Sequence, residues 1–284
     1  MRGKRIVLLI AHPDDEAMFF GPTLTHLTAP ELGNHVKVLC LSTGNAESIG
    51  GVRRKELQTS ALHLGVRRPA DIFIVDDQER FPDSMTKTWS ATEIAGLLIE
   101  AFAPEIGKAK SSASGKREET QPPKATIDVL ITFDKQGVSN HPNHISLSHG
   151  AELFIRLLMR DKSGWRCPVS LYHLRSINIF RKYSFLLDAP YTLFTSALKV
   201  IVSGSARKAA LARGRTPVRD IGTEAKSLAG DPVEDNNLIF IANPGEYWKI
   251  REAMTTCHKS QMVWFRWGWI TLGRYMVVNE LSKE

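Results

Sequence analysis

Cysteine is scarce in this sequence: Cys40, Cys167 and Cys257 are the only three among 284 residues. The odd count and long spacings leave no disulfide framework and no cysteine-based zinc motif, and they favour a reducing compartment. Long hydrophobic runs are also missing. No stretch reaches the roughly 18 uninterrupted apolar residues of a spanning helix. The apolar run Ile6 to Ala11, behind the basic start Met1 to Lys4, is too short for a signal-peptide core and reads as a buried strand. There is no internal repeat, no Walker or dinucleotide glycine fingerprint and no nucleic-acid recognition motif. Nucleic acid is therefore not an expected partner, despite a formal net charge of +7. That charge suits a phospholipid headgroup or a phosphorylated substrate, or serves solubility alone.

What is present is an ordinary globular composition, 43% hydrophobic and 24% charged, which fits a single domain over residues 1–284. Apolar runs predict strands at Arg5 to Ala11, His35 to Ser42, Asp71 to Val75 and Ile127 to Phe133. Helical spacing predicts helices at Pro22 to Leu27, Val52 to Leu64, Trp89 to Phe102 and Ile145 to Met159. This alternation is the signature of an α/β fold with a doubly wound, mostly parallel sheet. Residues 108–124 hold Ser, Lys, Glu, Gln and two prolines with almost nothing apolar, and are expected to form a disordered insertion. Between Arg156 and Arg219 stand thirteen Lys/Arg against two Asp/Glu, interleaved with the apolar stretches Tyr183 to Leu187 and Leu193 to Val202. Such a stretch suits an anionic bilayer surface, or helices packed on the sheet with charged outer faces. A strand is expected at Leu238 to Ala242, then helical patterns from Tyr247 to Leu281 around the cluster Trp264, Phe265, Trp267 and Trp269.

In a doubly wound sheet the site lies at the carboxyl ends of the strands. Three suggestive loops fall there: His12 to Glu16, Thr43 to Gly51 and Asp134 to His144. His12-Pro13-Asp14-Asp15-Glu16 sets an imidazole beside carboxylates, a donor set that zinc accepts. One aspartate can bind metal while the other serves as general base. His141-Pro142-Asn143-His144 repeats the His-Pro theme after another strand. One of its histidines can complete a His-Asp-His metal site, and the other can act as an acid or polarise a carbonyl. Asp134 is placed to orient His141 through a hydrogen bond from behind. Thr43, Gly44 and Asn45, with Arg53 at a helix start, suit contact with hydroxyls or a phosphate.

These residues resemble those of the PIG-L/LmbE-like de-N-acetylases, and the eukaryotic branch most of all. The resemblance rests on Ala11-His12-Pro13-Asp14-Asp15-Glu16 and His141-Pro142-Asn143-His144. Thr43-Gly44-Asn45, Thr132-Phe133-Asp134, Gly137-Val138-Ser139 and His258-Lys259-Ser260-Gln261 with its aromatic tail support it. It implies a Rossmann-like fold and one zinc ion held by His12, Asp15 and His144. It further implies Asp14 as the base, His141 as the group that stabilises the oxyanion, and Arg53 as a contact to the sugar or its phosphate. Asn143 stands where many bacterial relatives carry Asp. The implied reaction is N-deacetylation of an N-acetylglucosaminyl phospholipid in GPI-anchor biosynthesis, at the cytosolic face of the endoplasmic reticulum membrane. Animal members carry an N-terminal membrane helix, whereas this chain starts almost directly on its first strand. Either the sequence lacks its anchor, or the basic and apolar stretch from Arg156 to Val202, within a membrane-facing region 156–219, docks to the bilayer surface. The rival expectations are a soluble deacetylase of a small N-acetylglucosaminyl conjugate and a catalytically silent membrane-associated subunit.

Overall fold

The fold was analysed in a computed structural model that describes residues 1–45, 49–106, 122–195, 197–198 and 237–284. The aliphatic runs form the centre of a seven-stranded sheet. Every residue from Ile6 to Ile10 in β1 (Arg5–Ile10) is buried, as is all of β4 (Val129–Phe133). Burial on both faces is what a continuous aliphatic run requires of an interior parallel strand. The other strands are β2 (His35–Cys40), β3 (Ile72–Ile74), β5 (Ser170–Leu174), β6 (Asn237–Ile241) and β7 (Val278–Lys283), in the order β3-β2-β1-β4-β5-β7-β6. β1 pairs in parallel with both β2 and β4, so Ile6 stands opposite Val36 on one side and Val129 on the other. Only β7 runs against its neighbours among the described strands. The mostly parallel, doubly wound sheet read from the sequence is therefore the sheet observed.

The chain order reverses between β1 and β4. That reversal is the topological switch point, where a crevice opens beyond the strand ends. The loops leaving β1 and β4 are those that carry His12 and His141. Around the sheet lie the helices α1 (Asp15–Met18), α2 (Gly21–Leu27), α3 (Gly50–His63), α4 (Ala91–Phe102), α5 (Pro142–Leu158), α6 (Pro244–Glu252) and α7 (Trp264–Leu272).

The last third departs from the sequence expectation. Strand β5 was not foreseen, and the helical pattern from Tyr247 to Leu281 breaks into α6, a π-helical turn at Ala253–Cys257, α7 and the strand β7. β7 escapes a hydrophobic reading because two of its inner positions are polar. Asn279 is fully buried, with its side chain accepting from Thr23 Oγ1 at 2.7 Å and donating to the Phe19 carbonyl at 2.8 Å. Glu280 takes the Arg175 guanidinium at 2.7 Å. Satisfied partners let both residues sit inside. Of the expected insertion 108–124, residues 108–121 lie outside the described residues, as does the basic stretch from 199 to 219.

Candidate active site

The floor of the crevice is His12, Asp15 and His144. All three are buried, and one donor atom from each lies within 4.8 Å of the others. Backbone amides fix Asp15: its Oδ2 accepts from Ala11 N at 3.0 Å and His12 N at 2.9 Å. Its Oδ1 is left facing His144 Nε2 at 3.3 Å. Gly137, at φ +56°, turns the loop so that its carbonyl meets His144 Nδ1 at 3.1 Å. A side chain there would fall 2.8 Å from His144 Cβ. The Phe133 ring stacks on His144 at 3.9 Å. With Nδ1 directed at a carbonyl, the Nε2 lone pair points at the carboxylate, and this buried atom makes no aligned hydrogen bond. Two electron-rich groups held this way call for a proton or a metal ion between them.

The electrostatics agree. Burial opposes charge on His144, but the Asp15 carboxylate outweighs it and lifts its pKa above the ordinary histidine value. Burial likewise works against charge on Asp15, and His144 with His12 overcomes it and holds the carboxyl low. Two imidazoles and one carboxylate form the donor set of a catalytic zinc site with an open position. The orphaned His144 nitrogen shows that the residues present fit a divalent cation.

Asp14 stands beside this floor in a strained conformation, at φ 119°. Such a backbone costs a non-glycine residue about 1–3 kcal/mol and persists only where its surroundings hold it. The holder is Glu16, fully buried, whose Oε2 accepts from Asp14 N at 3.1 Å. Glu16 Oε1 is fixed in turn by Ser60 Oγ at 2.5 Å and His258 Nε2 at 2.6 Å. Asp14 Oδ2 receives Arg266 Nη1 at 2.6 Å and Arg53 Nη2 at 3.4 Å.

His141 overlooks the floor, its ring 4.9 Å from His12 and 4.8 Å from His144. Its Nδ1 accepts from Asn143 N at 3.2 Å, which leaves the proton on Nε2. Burial, with His144 and His12 nearby, pushes its pKa down to about 4, so it is a neutral donor at pH 7. Asn143 Oδ1 lies 3.1 Å from His12 Nε2 and orients that ring.

Two expectations take a different form. Asp134 makes no hydrogen bond to His141 among the described residues. Its carboxylate accepts from Gln136 N, Gly137 N, Ser176 N and Ser176 Oγ, so it shapes the loop that presents the Gly137 carbonyl to His144. A carboxylate at a turn is captured by nearby backbone amides before it can reach a side chain further on. The Thr43, Gly44, Asn45 group braces the wall more than it lines it. Thr43 Oγ1 lies 3.2 Å from Asp76 Oδ1, and Asn45 Oδ1 caps Gly50 N at 2.8 Å. Only Gly44 of the three borders the crevice, at φ +65°, and a Cβ there would overlap the Arg53 guanidinium.

The crevice encloses about 280 Å³ and adds residues that sequence reasoning had passed over. Asp83 Oδ1 lies 3.3 Å from His12 Nε2. Met18, Met85 and Arg266 also line the walls, together with Gln261 of the segment His258-Lys259-Ser260-Gln261 that supported the resemblance. The signal for Arg266 was a lone arginine inside an aromatic run, Trp264-Phe265-Arg266-Trp267. The signal for His258 was a histidine just after a π-helical turn, a feature frequent at functional sites.

Comparison with known proteins identifies the family. Residues 7–155 match the family model described as PIG-L, GlcNAc-PI de-N-acetylase. An N-acetylglucosaminyl-phosphatidylinositol de-N-acetylase from Arthroderma benhamiae is 48% identical, covering 100% of this chain and 88% of the relative. The Bos taurus protein of the same name is 31% identical over 99% of this chain and 83% of its own. Among solved structures, the zinc-inhibited form of a teicoplanin deacetylase aligns at 12% identity over 98% of this chain and 97% of that one, with a TM-score of 0.49. The matched segment spans both His-Pro loops and the strands that bring them together, and with the full-length likeness to the Arthroderma benhamiae protein it makes this chain a member of the PIG-L family.

Proposed function

We propose that this chain is a zinc-dependent hydrolase that removes the N-acetyl group from N-acetylglucosaminyl-phosphatidylinositol, the second step of GPI-anchor biosynthesis. The observation that carries the reading is the meeting of the His12–Glu16 and His141–His144 loops at one switch point, with metal donors and a base side by side. The names of the relatives supply the substrate.

In this reading His12, Asp15 and His144 hold the ion. Zinc, when bound, contributes Lewis acidity and a more acidic water. Asp14 takes the proton from the attacking water. His141 Nε2–H donates to the carbonyl oxygen as it gains charge. The carbon–nitrogen bond then breaks, the amine leaves with the proton, and acetate is the second product. Arg53 fixes the loop that carries Asp14 and faces the sugar. Acetate release from the purified protein, measured with and without a chelator, tests the assignment. Release that survives complete metal removal overturns the zinc reading, and no release by zinc-loaded protein overturns the reaction.

The substrate is a glycophospholipid, and the reading extends to the cytosolic face of the endoplasmic reticulum membrane. No helix among the described residues is long and apolar enough to cross a membrane. The surface instead exposes large apolar side chains on the segment 179–187, a short helix (Ile179–Lys182) followed by a 3-10 turn (Phe185–Leu187), and on α7. Phe180 is 86% exposed on the helix, Leu187 78% on the turn, and Trp264 85% on α7. Tyr183 packs against Trp269 at 5.9 Å and joins the two. The cations of that segment are engaged within the protein, Arg181 by Asp188 and Lys182 by the Val138 carbonyl, so the exposed apolar side chains carry this extension. Exposed aromatic and aliphatic side chains suit the interface of a bilayer. Vesicles containing phosphatidylinositol are expected to pellet the protein, and a protein that stays in the supernatant overturns this extension.

A further inference from the structure

Two arginines converge on Asp14, and they are held differently. Arg53 donates to two backbone carbonyls, Gly44 O at 2.9 Å and Pro13 O at 2.7 Å. It also lies 3.4 Å from Asp83 Oδ2. Its side chain is locked, and it cannot turn to a ligand without dismantling the wall. Arg266 enters from α7 on the other side. Among the described residues its guanidinium meets side chains only, Asp14 Oδ2 at 2.6 Å and Met18 Sδ at 3.0 Å. Its Nε is buried without a hydrogen-bond partner, as is that of Arg53, but Arg266 has no backbone carbonyl among its partners in the described residues. A guanidinium with five donors, one carboxylate contact and an orphaned Nε is under-used where it stands.

The placement along α7 adds a second observation. Trp269 is anchored inward, its indole N–H donating to Met18 O at 3.1 Å. Trp264, Phe265 and Trp267 point out to solvent. Moving outward from the floor, one meets the metal donors, then Asp14, then Arg266, then exposed aromatic rings. A glycophospholipid presents its parts in the same order: the acetamido sugar, the inositol, the phosphodiester and the acyl chains.

We propose that Arg266 reads the substrate phosphodiester, and that in turning from Asp14 to the phosphate it frees the base. This rests on the reaction proposed above. Arginine suits the role, because its planar fork matches phosphate oxygens in pairs. The Asp14 oxygen that accepts from Arg266 is closed to a water proton while that contact lasts. A phosphate-bearing substrate opens it, and binding energy from a remote group is thereby put to use at the reacting centre.

The test compares two substrates that differ only in the phosphate: short-chain N-acetylglucosaminyl-phosphatidylinositol and N-acetylglucosaminyl-inositol. Zinc-loaded wild type, Arg266→Ala and Arg266→Lys are assayed on both. In Arg266→Ala the preference in kcat/KM for the phosphate-bearing substrate is expected to fall at least about tenfold, through a higher KM for that substrate and a higher kcat for N-acetylglucosaminyl-inositol, since Asp14 is no longer held. Arg266→Lys recovers part of it. Equal losses on the two substrates overturn the proposal and leave Arg266 a partner of Asp14 alone. A binding measurement stands apart from turnover: chelator-treated protein is titrated calorimetrically with myo-inositol 1-phosphate. Binding by wild type that weakens at least about tenfold in Arg266→Ala supports the assignment. Equal binding by both proteins, or none by wild type, overturns it. If zinc-loaded wild type turns over neither substrate, the reaction itself falls, a result distinct from equal losses among active proteins.

Discussion

In the proposed reaction the loop His12–Glu16 delivers two metal donors, a base and the group that holds the base within five consecutive residues, whereas the chain beyond Ala253 delivers isolated side chains. His258 grips Glu16 and Arg266 grips Asp14, each from its own turn of backbone. The first region works through sequence proximity at the end of a strand fixed on both sides. The second works through packing, reaching the crevice over the top of the sheet. In the proposed reading the chemistry is concentrated in two short motifs, His12–Glu16 and His141–His144, while its alignment and its coupling to the rest of the substrate are distributed. Substitutions in the first region should abolish turnover with little change in folding. Those in the second should act on binding and stability.

The largest effect is expected from His144→Ala, which removes a metal donor and empties the face opposite Asp15. Metal content should fall well below one ion per chain by elemental analysis, with activity down by about 10³-fold or more. An unchanged metal content breaks the comparison at its root. Asp14→Asn should come next. It keeps the donors and loses the base, so metal content holds while kcat falls by about 10²–10⁴-fold. Full activity in that variant would move the base elsewhere, with Asp83 the next carboxylate on the wall.

How much of this was legible in the sequence follows the same division. β1 and β4 could be read because they are aliphatic runs buried on both faces, and β2 and β3 through shorter apolar runs, whereas β5, equally parallel, could not. The loops His12–Glu16 and His141–His144 could be read because their functional residues are neighbours in the chain. The contacts of Arg266 and His258 could not, although His258 stands in a segment that supports the resemblance, since their partners lie 252 and 242 residues away. Nothing local marks such a pairing. Asp134 teaches the converse. It is seven residues from His141, but proximity does not set direction, and its carboxylate is taken by the amides of its own turn. β7 was illegible for a third reason, because Asn279 and Glu280 are buried polar residues whose partners come from other elements.

A cluster away from the crevice sharpens the contrast. Asp188 is buried and accepts from the Nε atoms of Arg181, at 2.6 Å, and of the fully buried Arg274, with Thr192 Oγ1 at 2.7 Å. It ties the segment exposing Phe180 and Leu187 to the turn Arg274–Met276 that precedes β7. Asp188→Asn leaves Arg181 without its counter-charge and the wholly buried Arg274 with Glu280 alone, 3.6 Å from its Nη2. Breaking such a pair costs about 3–5 kcal/mol. Urea denaturation should register that loss, while kcat of the folded fraction stays within about twofold of wild type, since no atom of the crevice is touched. A stability change under about 1 kcal/mol would mean that the cluster opens to water and carries little.

The smallest effect expected is a pH dependence, and it tests whether the distributed region is electrostatically tied to the motif. His258 and Glu16 are both fully buried. Burial opposes charge on His258, but Glu16 outweighs it, with Asp14 and Glu56 adding to the effect, and the pKa stands above the ordinary histidine value. A histidine raised in this way binds its proton more tightly folded than unfolded. Its contribution is complete below the unfolded value of about 6.5 and is lost as pH rises through the folded pKa. His258→Gln keeps a donor for Glu16 but cannot titrate. The stability difference between wild type and this variant, measured by urea denaturation at equal metal content, should therefore shrink as pH is raised from 6 to 9. Each pKa unit of elevation corresponds to about 1.4 kcal/mol. A difference that stays flat over that range would mean that His258 holds Glu16 as a neutral donor, and that the C-terminal segment aligns the base by shape alone.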